Sequence, residues 1–383
     1  MSKKENNNTL VKNATFLMVA ALISKIIGML YKSPLTTLIG RESFACFQFA
    51  QNAYFILLMI ASFSIPQAVS KIMSERIAFK RYRDAQRVFK GALLYAVIAG
   101  GIAALVCIFG ASILVPDNMA NARLALQMLA PTIFVSGILG VFRGYFQAYR
   151  NMLPTSISQI LEQIAVATVA LLASGFMVHH FANAEEDTLQ RWSAAGATMG
   201  TGAGVCTAFL FMLFVYRVNH KTIVKKIKND RVSVNESYRS IMKIILLIAA
   251  PIILSAFIYN VNGYINGVMY TSILGWKGVP NSLVKQNYAE YGFFMTLINI
   301  PLTLASTAPT SMMPEVSAQY AIGDLEETKR KIDQATWIAM LISIPASVGL
   351  AVLAQPVTRL IFPSTEGVAG QLMVIGVITV ILN

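Results

Sequence analysis

Apolar residues fall in long runs separated by short polar stretches, and the runs recur along the whole chain. Each run is near the ~20 residues that a helix needs to cross a bilayer. Hydropathy predicts ten spans, at 14–39, 44–71, 91–115, 124–146, 155–178, 194–216, 241–271, 288–313, 334–354 and 366–383. Strict alternation, the mark of a half-buried strand, does not carry any of them. The pattern predicts an all-α polytopic membrane protein.

Composition sharpens the picture. Of 383 residues, 56% are hydrophobic and 13% charged, and the mean hydropathy is +0.60. A soluble domain carries about 25% charged residues on its surface, so this surface faces lipid. Soluble enzymes, nucleic-acid binders and secreted scaffolds are excluded. The N-terminus (MSKKENNN) is polar, and no small-residue cleavage site follows the first span. Cys46, Cys107 and Cys206 all lie in apolar segments, and the three histidines are not spaced as a metal pair.

The net charge of +13 is unevenly placed. With the N-terminus cytoplasmic, 23 of the 31 basic residues fall in inside segments and six in outside loops; Lys25 and Lys32 lie within the first span. That asymmetry is a strong positive-inside signal. It also accounts for a pI of 9.6 without nucleic acid. The basic loops 71–90 and 217–243 are expected to rest on anionic lipid headgroups.

An internal repeat is readable. FAQNAYF (Phe49 to Phe55) matches YAEYGFF (Tyr288 to Phe294) at an offset of 239. Gly28 and Gly40 mirror Gly263 and Gly275 at 235, and Asp84–Arg87 matches Glu327–Arg330 at 243. Six spans separate the copies, so both face the same way: a parallel two-lobe repeat with a cavity between the halves. The expected organisation is a six-helix N-terminal lobe at 1–216, a basic cytoplasmic linker at 217–240 and a partial C-terminal lobe of four helices at 241–383. The second lobe is incomplete, and a full one would need roughly 95 further residues.

Ionisable residues inside a membrane are costly and mark protein-facing or wet positions. Lys25 and Lys32 are seven apart, two turns along one helix face. Two ammonium groups there suit an anionic ligand, although Lys32 can also snorkel to the interface. Glu162, flanked by Gln159 and Gln163, is expected to pair with a cavity lysine, to bind a proton or cation, or to serve as a structural carboxyl. Asn262 and Asn266 in the seventh span suggest a broken or cavity-lining segment, and Asn299 in the eighth joins prolines and hydroxyls in a hinge-like stretch. Gly196, Gly200 and Gly204 form a small-residue ridge for close helix contact. Arg143 and Arg150 flank a turn, either as positive-inside anchors or as headgroup contacts at the cytoplasmic mouth. No Walker A, G-x-S-x-G, H-E-x-x-H or metal-ligand cluster is present, so neither an enzyme nor a bound cofactor is expected.

SKIIGMLYKSPLTTLIG (Ser24 to Gly40), IPQAVSKIMSER (Ile65 to Arg76) and FRGYFQAYRNMLPTSISQILEQ (Phe142 to Gln163) resemble the polysaccharide-biosynthesis flippases of the MOP superfamily. The similarity is greatest to the stage V sporulation protein B group and its MurJ-type lipid II flippase relatives. It implies twelve to fourteen spans in two lobes, a bacterial plasma-membrane location, and alternating access that carries an undecaprenyl-pyrophosphate-linked glycan to the outer leaflet. The cargo it implies is lipid II or another undecaprenyl-linked cell-wall or polysaccharide precursor. Coupling to membrane potential, H+ or Na+ and partnership with cell-wall synthesis enzymes follow from the same resemblance. In lipid II flippases basic residues of the first span help to bind the headgroup, and the matching positions are Lys25 and Lys32. Two other readings stand beside this one: a cation-coupled multidrug exporter of the same superfamily, which would want an acidic cavity, and a non-transporting membrane scaffold.

Overall fold

The computed structural model describes residues 19–380, apart from 21, 60, 61, 63, 150, 235, 322, 377 and 379; the side chains of 259, 303, 304, 306–315, 317–319 and 321 are also left undescribed. Among the described residues every regular element is helical. The fold is all-α. Six stretches are long and apolar enough to cross a membrane: Tyr82–Phe109, Ala122–Ala148, Leu153–His180, Glu186–Val218, Tyr238–Trp276 and Leu325–Val352. Residues 14–18 of the first expected span lie outside the described residues.

Contacts gather the chain into two units, 1–285 and 286–383. In the first unit, α1 (residues 22–30) leads into α2 (Lys32–Leu58), which is interrupted at Gly40. Gly40 has φ 78° and ψ 162°, a conformation open to glycine and strained for any residue with a Cβ. The chain reverses there, one residue beyond the predicted end of the first span. Next come α3 (Ile65–Ala78), α4 (Tyr82–Phe109), the short α5 (Ala111–Leu114), a 3₁₀ turn (Asp117–Met119), α6 (Ala122–Met128) and α7 (Ala130–Ala148). Proline occupies the first turn of α3, α7 and α8 (Leu153–His180), where its missing N–H costs no helical bond. α9 (Glu186–Val218) opens with Glu186 and Asp187, acids that favour the positive end of a helix dipole. α10 (His220–Lys228) and α11 (Tyr238–Trp276) complete the unit.

The core joins α3, α4, α7, α9, α10 and α11. At its centre Phe89 stacks on Tyr216 at 5.4 Å, and Phe142 and Tyr145 meet both rings edge-on. Such pairs add about 0.5–1.5 kcal/mol each beyond area burial. α8 and α9 pack closely along the predicted glycine ridge: a methyl on Gly200 would lie 2.5 Å from the Ala170 Cβ and 2.6 Å from the Val166 carbonyl oxygen. α4 turns Leu94, Ile98, Ile102, Leu105 and Phe109 outward, an apolar stripe that only lipid can accommodate without cost.

α11 differs from the broken segment that its polar residues suggested. It runs unbroken for 39 residues, with Pro251 inside it, and the Asn260 amide donates to the Ala256 carbonyl oxygen of its own helix. It also counts with the first unit, because Ile241 and Ile245 enter the core of that unit and the Tyr264 hydroxyl donates to Leu114 O at 2.6 Å.

The second unit holds most of α12 (Asn281–Ala321), with α13 (Leu325–Val352), α14 (Ala354–Ile361) and α15 (Val368–Gly376). Asp324 caps α13 by accepting from the Glu327 N–H at 3.0 Å. Glu290, fully buried, accepts from the Thr365 hydroxyl at 2.6 Å and from the Glu366 and Ala369 N–H groups at 2.7 and 2.9 Å. The carboxylate thus replaces the missing helical partners at the start of α15. Positive φ recurs at the turns. Gly278 has φ 74° and Gly323 φ 81°, against 78° at Gly40 and 61° at Lys80.

Candidate functional site in the first unit

A cavity of about 230 Å³ opens between α1, α2, α8 and α9. Lys32, Gln48, Gln51, Asn52, Glu162 and Gln163 supply its polar lining. Gln51 donates to the Thr201 hydroxyl at 2.7 Å, tying α2 to α9. The Gln48 Oε1 is buried with no hydrogen-bond partner in the protein. Gly28 keeps the wall thin on the α1 side: a Cβ there would come within 2.9 Å of Gln163 Oε1.

Glu162 makes its ion pair with Arg143, Oε2 to Nη2 at 2.6 Å, and both side chains are mostly buried. The Arg143 Nε also donates to the Ser158 hydroxyl at 3.0 Å, and that hydroxyl donates to Thr155 O at 2.7 Å. The pair binds α7 to α8. A buried charge is tolerable when it is paired and its remaining hydrogen-bonding positions are filled. Arg143 pairs with Glu162, and Lys32 brings an ammonium to the lining.

The expected site residues therefore separate. Lys32 and Glu162 line one cavity, and Arg143 reaches the second of them. Lys25 is exposed on α1, two turns from Lys32, about 10 Å along the axis. Asn262 and Asn266 are exposed on α11. Asn299, in the second unit, is exposed and donates to Met295 O at 2.6 Å. Arg150 lies outside the described residues. The Arg143–Glu162 partnership carried no readable signal: Arg143 lies five residues before the end of α7 and Glu162 nine after the start of α8. Gln48 and Gln51 gave none beyond their polarity.

Curated relatives and solved structures agree with this architecture. The chain is 24% identical over 366 residues to "Stage V sporulation protein B" of Bacillus subtilis, covering 93% of this chain and 67% of that protein. It is 23% identical over 379 residues to the "Lipid II flippase MurJ" of the same organism, covering 96% and 68%. The chain thus spans about two thirds of the length of these relatives. Among solved structures, an inward-facing multidrug resistance MATE family transporter of the MOP superfamily matches with a TM-score of 0.69 at 17% identity, over 97% of this chain and 81% of that one. That likeness shows the fold. The family model for polysaccharide biosynthesis proteins matches residues 10–318, more than half of the sequence, and the chain belongs to that family.

Proposed function

We propose that this protein moves a lipid-linked, pyrophosphate-bearing glycan, a cell-wall or polysaccharide precursor, from the inner to the outer leaflet of the bacterial plasma membrane. The observation that supports the reading is the polar cavity of the first unit, which Lys32 lines beside the Arg143–Glu162 pair. A lysine ammonium is a compact donor to phosphate oxygens. The relatives named as a lipid II flippase and a sporulation protein support the same cargo class. Transport would proceed by alternating access between a lobe at 1–216 and one begun by 241–383, joined by 217–240, with the N-terminus cytoplasmic. Membrane potential, H+ or Na+ would drive it, with anionic lipids and cell-wall synthesis enzymes as neighbours. Lys25, Asn262, Asn266, Asn299 and Arg150 complete the proposed pathway for the headgroup.

The exporter reading loses its one support, because a carboxylate held by an arginine gives a lipophilic cation no net attraction. Native mass spectrometry of the purified protein beside Lys32→Ala tests the proposal. Undecaprenyl-pyrophosphate glycan should co-purify with the wild type and fall about tenfold or more in the variant, the loss of one charge-assisted contact in a desolvated site. Equal retention would remove Lys32 from the site. Retention of lipophilic cations in place of glycan would overturn the reading.

A further inference from the structure

At the end of the bundle where α4 begins and α9 ends, a second hollow of about 400 Å³ lies between α10 and the α3–α4 turn. Lys80, Lys225, Lys226 and Arg231 line it together with Tyr82. Asp230 is its single acid, and that carboxylate is occupied. It accepts from the Arg83 N–H at 2.7 Å, the Ser233 hydroxyl at 2.6 Å and the Val232 and Ser233 N–H groups at 2.9 and 3.0 Å. Four cations thus surround a space whose one anion is turned toward backbone.

Two further observations separate this hollow from an ordinary solvated basic face. Lys226 is fixed by aromatic rings, its ammonium 5.0 Å from the Tyr149 centroid and 5.9 Å from that of Tyr82. Lys80 holds φ 61°, left-handed backbone that a long side chain adopts at a cost. At the α12–α13 turn, 243 residues on, a glycine, Gly323, has φ 81°. The turn at Lys80 closes α3, with the Lys80 and Arg81 N–H groups donating to Ile77 O and Arg76 O at 2.9 Å. α10 also spends its apolar side on the protein, with Ile223 in the core and Ile227 packed against it, so its lysines are not there to float the helix on lipid.

We propose that this hollow is a phosphate-binding site, distinct from the transport cavity, in which Lys80, Lys225, Lys226 and Arg231 surround the anion. The phosphate is presented by an anionic lipid headgroup or by a soluble phosphorylated compound, and the two sources are separable. Full-length protein in detergent is titrated with inorganic pyrophosphate, and the same protein in nanodiscs of phosphatidylglycerol or phosphatidylcholine is assayed for retained lipid. The comparison is with Lys80→Gly/Lys225→Gln/Arg231→Gln. Loss of three cations should weaken binding about tenfold or more, and raising NaCl from low to high should weaken the wild type in the same sense. Preference for phosphatidylglycerol that the triple variant loses assigns the site to a headgroup. Pyrophosphate binding that it loses, without lipid preference, assigns it to a soluble phosphate. Lys32→Ala should lower only the pyrophosphate held by the transport cavity and leave the phosphatidylglycerol preference and the further loss in the triple variant in place, which keeps the outcome apart from that of the transport proposal. Lys80→Gly relaxes the turn, and the single variant Lys225→Gln alters only an exposed side chain, so a folded control exists. Equal binding by wild type and variants, or no binding of either probe by the wild type, overturns the site.

Discussion

The Arg143–Glu162 pair shows what a charge inside a membrane needs. Either group alone would stand largely buried without a counter-ion, whereas together they cancel and hold two helices at one depth. Glu162→Gln should therefore lower the stability of the detergent-solubilised protein by about 2 kcal/mol, read by thermal unfolding, while Arg143→Met/Glu162→Met should cost less than either single change. Asp230 poses the opposite problem, a carboxylate outside the spans. Burial alone would raise its pKa, but hydrogen bonds from the Ser233 hydroxyl and the Arg83, Val232 and Ser233 N–H groups outweigh that and hold it below the usual carboxylate range. The stability it contributes is complete above the ordinary carboxylate pKa and is lost as the pH falls through the lowered one. Asp230→Asn should cost about 1–3 kcal/mol at neutral pH and flatten the acid limb of a stability-against-pH curve.

At the scale of helices, glycine does two separate jobs. Gly40 sits where nothing lies within 4 Å of a would-be Cβ, so its role is conformational; Gly200 has ordinary helical backbone and a crowded neighbour in α8. Gly40→Ala should cost about 1–2 kcal/mol through φ alone. Gly200→Ala should cost about 1–3 kcal/mol through overpacking. A compensating Ala170→Gly, measured by thermal unfolding in detergent, should recover part of the second loss and none of the first. The ridge was legible in the sequence because small residues at a spacing of four say directly that two helices approach closely. The turn at Gly40 was legible only as the end of an apolar run. Gly275, matched to it in the repeat, lies inside α11.

At the scale of the molecule, apolar run length predicted the membrane class and the helices, because a lipid-facing helix must be apolar along its length whatever its neighbours do. The site was less legible. Lys32 and Glu162 were found because charge inside a span is conspicuous, but the partner of Glu162 lies across a hairpin and depends on the depth of each helix. Asn262 and Asn266 were attractive for their polarity, yet α11 absorbs such residues without breaking, as Asn260 does by bonding to its own helix. The exposed stripe of α4 places Lys80 and Ile113 beyond opposite ends of one span. With Cys46, Cys107 and Cys206 replaced by serine, a membrane-impermeant maleimide should label Ile113→Cys in intact cells and Lys80→Cys only after permeabilisation. The reverse pattern would invert the proposed orientation.

The buried Asp84 grips the segment that leads into α11 by its backbone, accepting from the Val234 and Glu236 N–H groups at 3.0 and 3.1 Å. A carboxylate that holds peptide groups is blind to the side chains they carry. Position 234 is therefore free to drift through hydrophobic, polar and charged residues, with proline the exception because it has no N–H to offer. Position 84 has no such latitude. A saturation library would record a strict aspartate facing a permissive valine, and statistical covariation between them would be close to nil although the two residues are bonded.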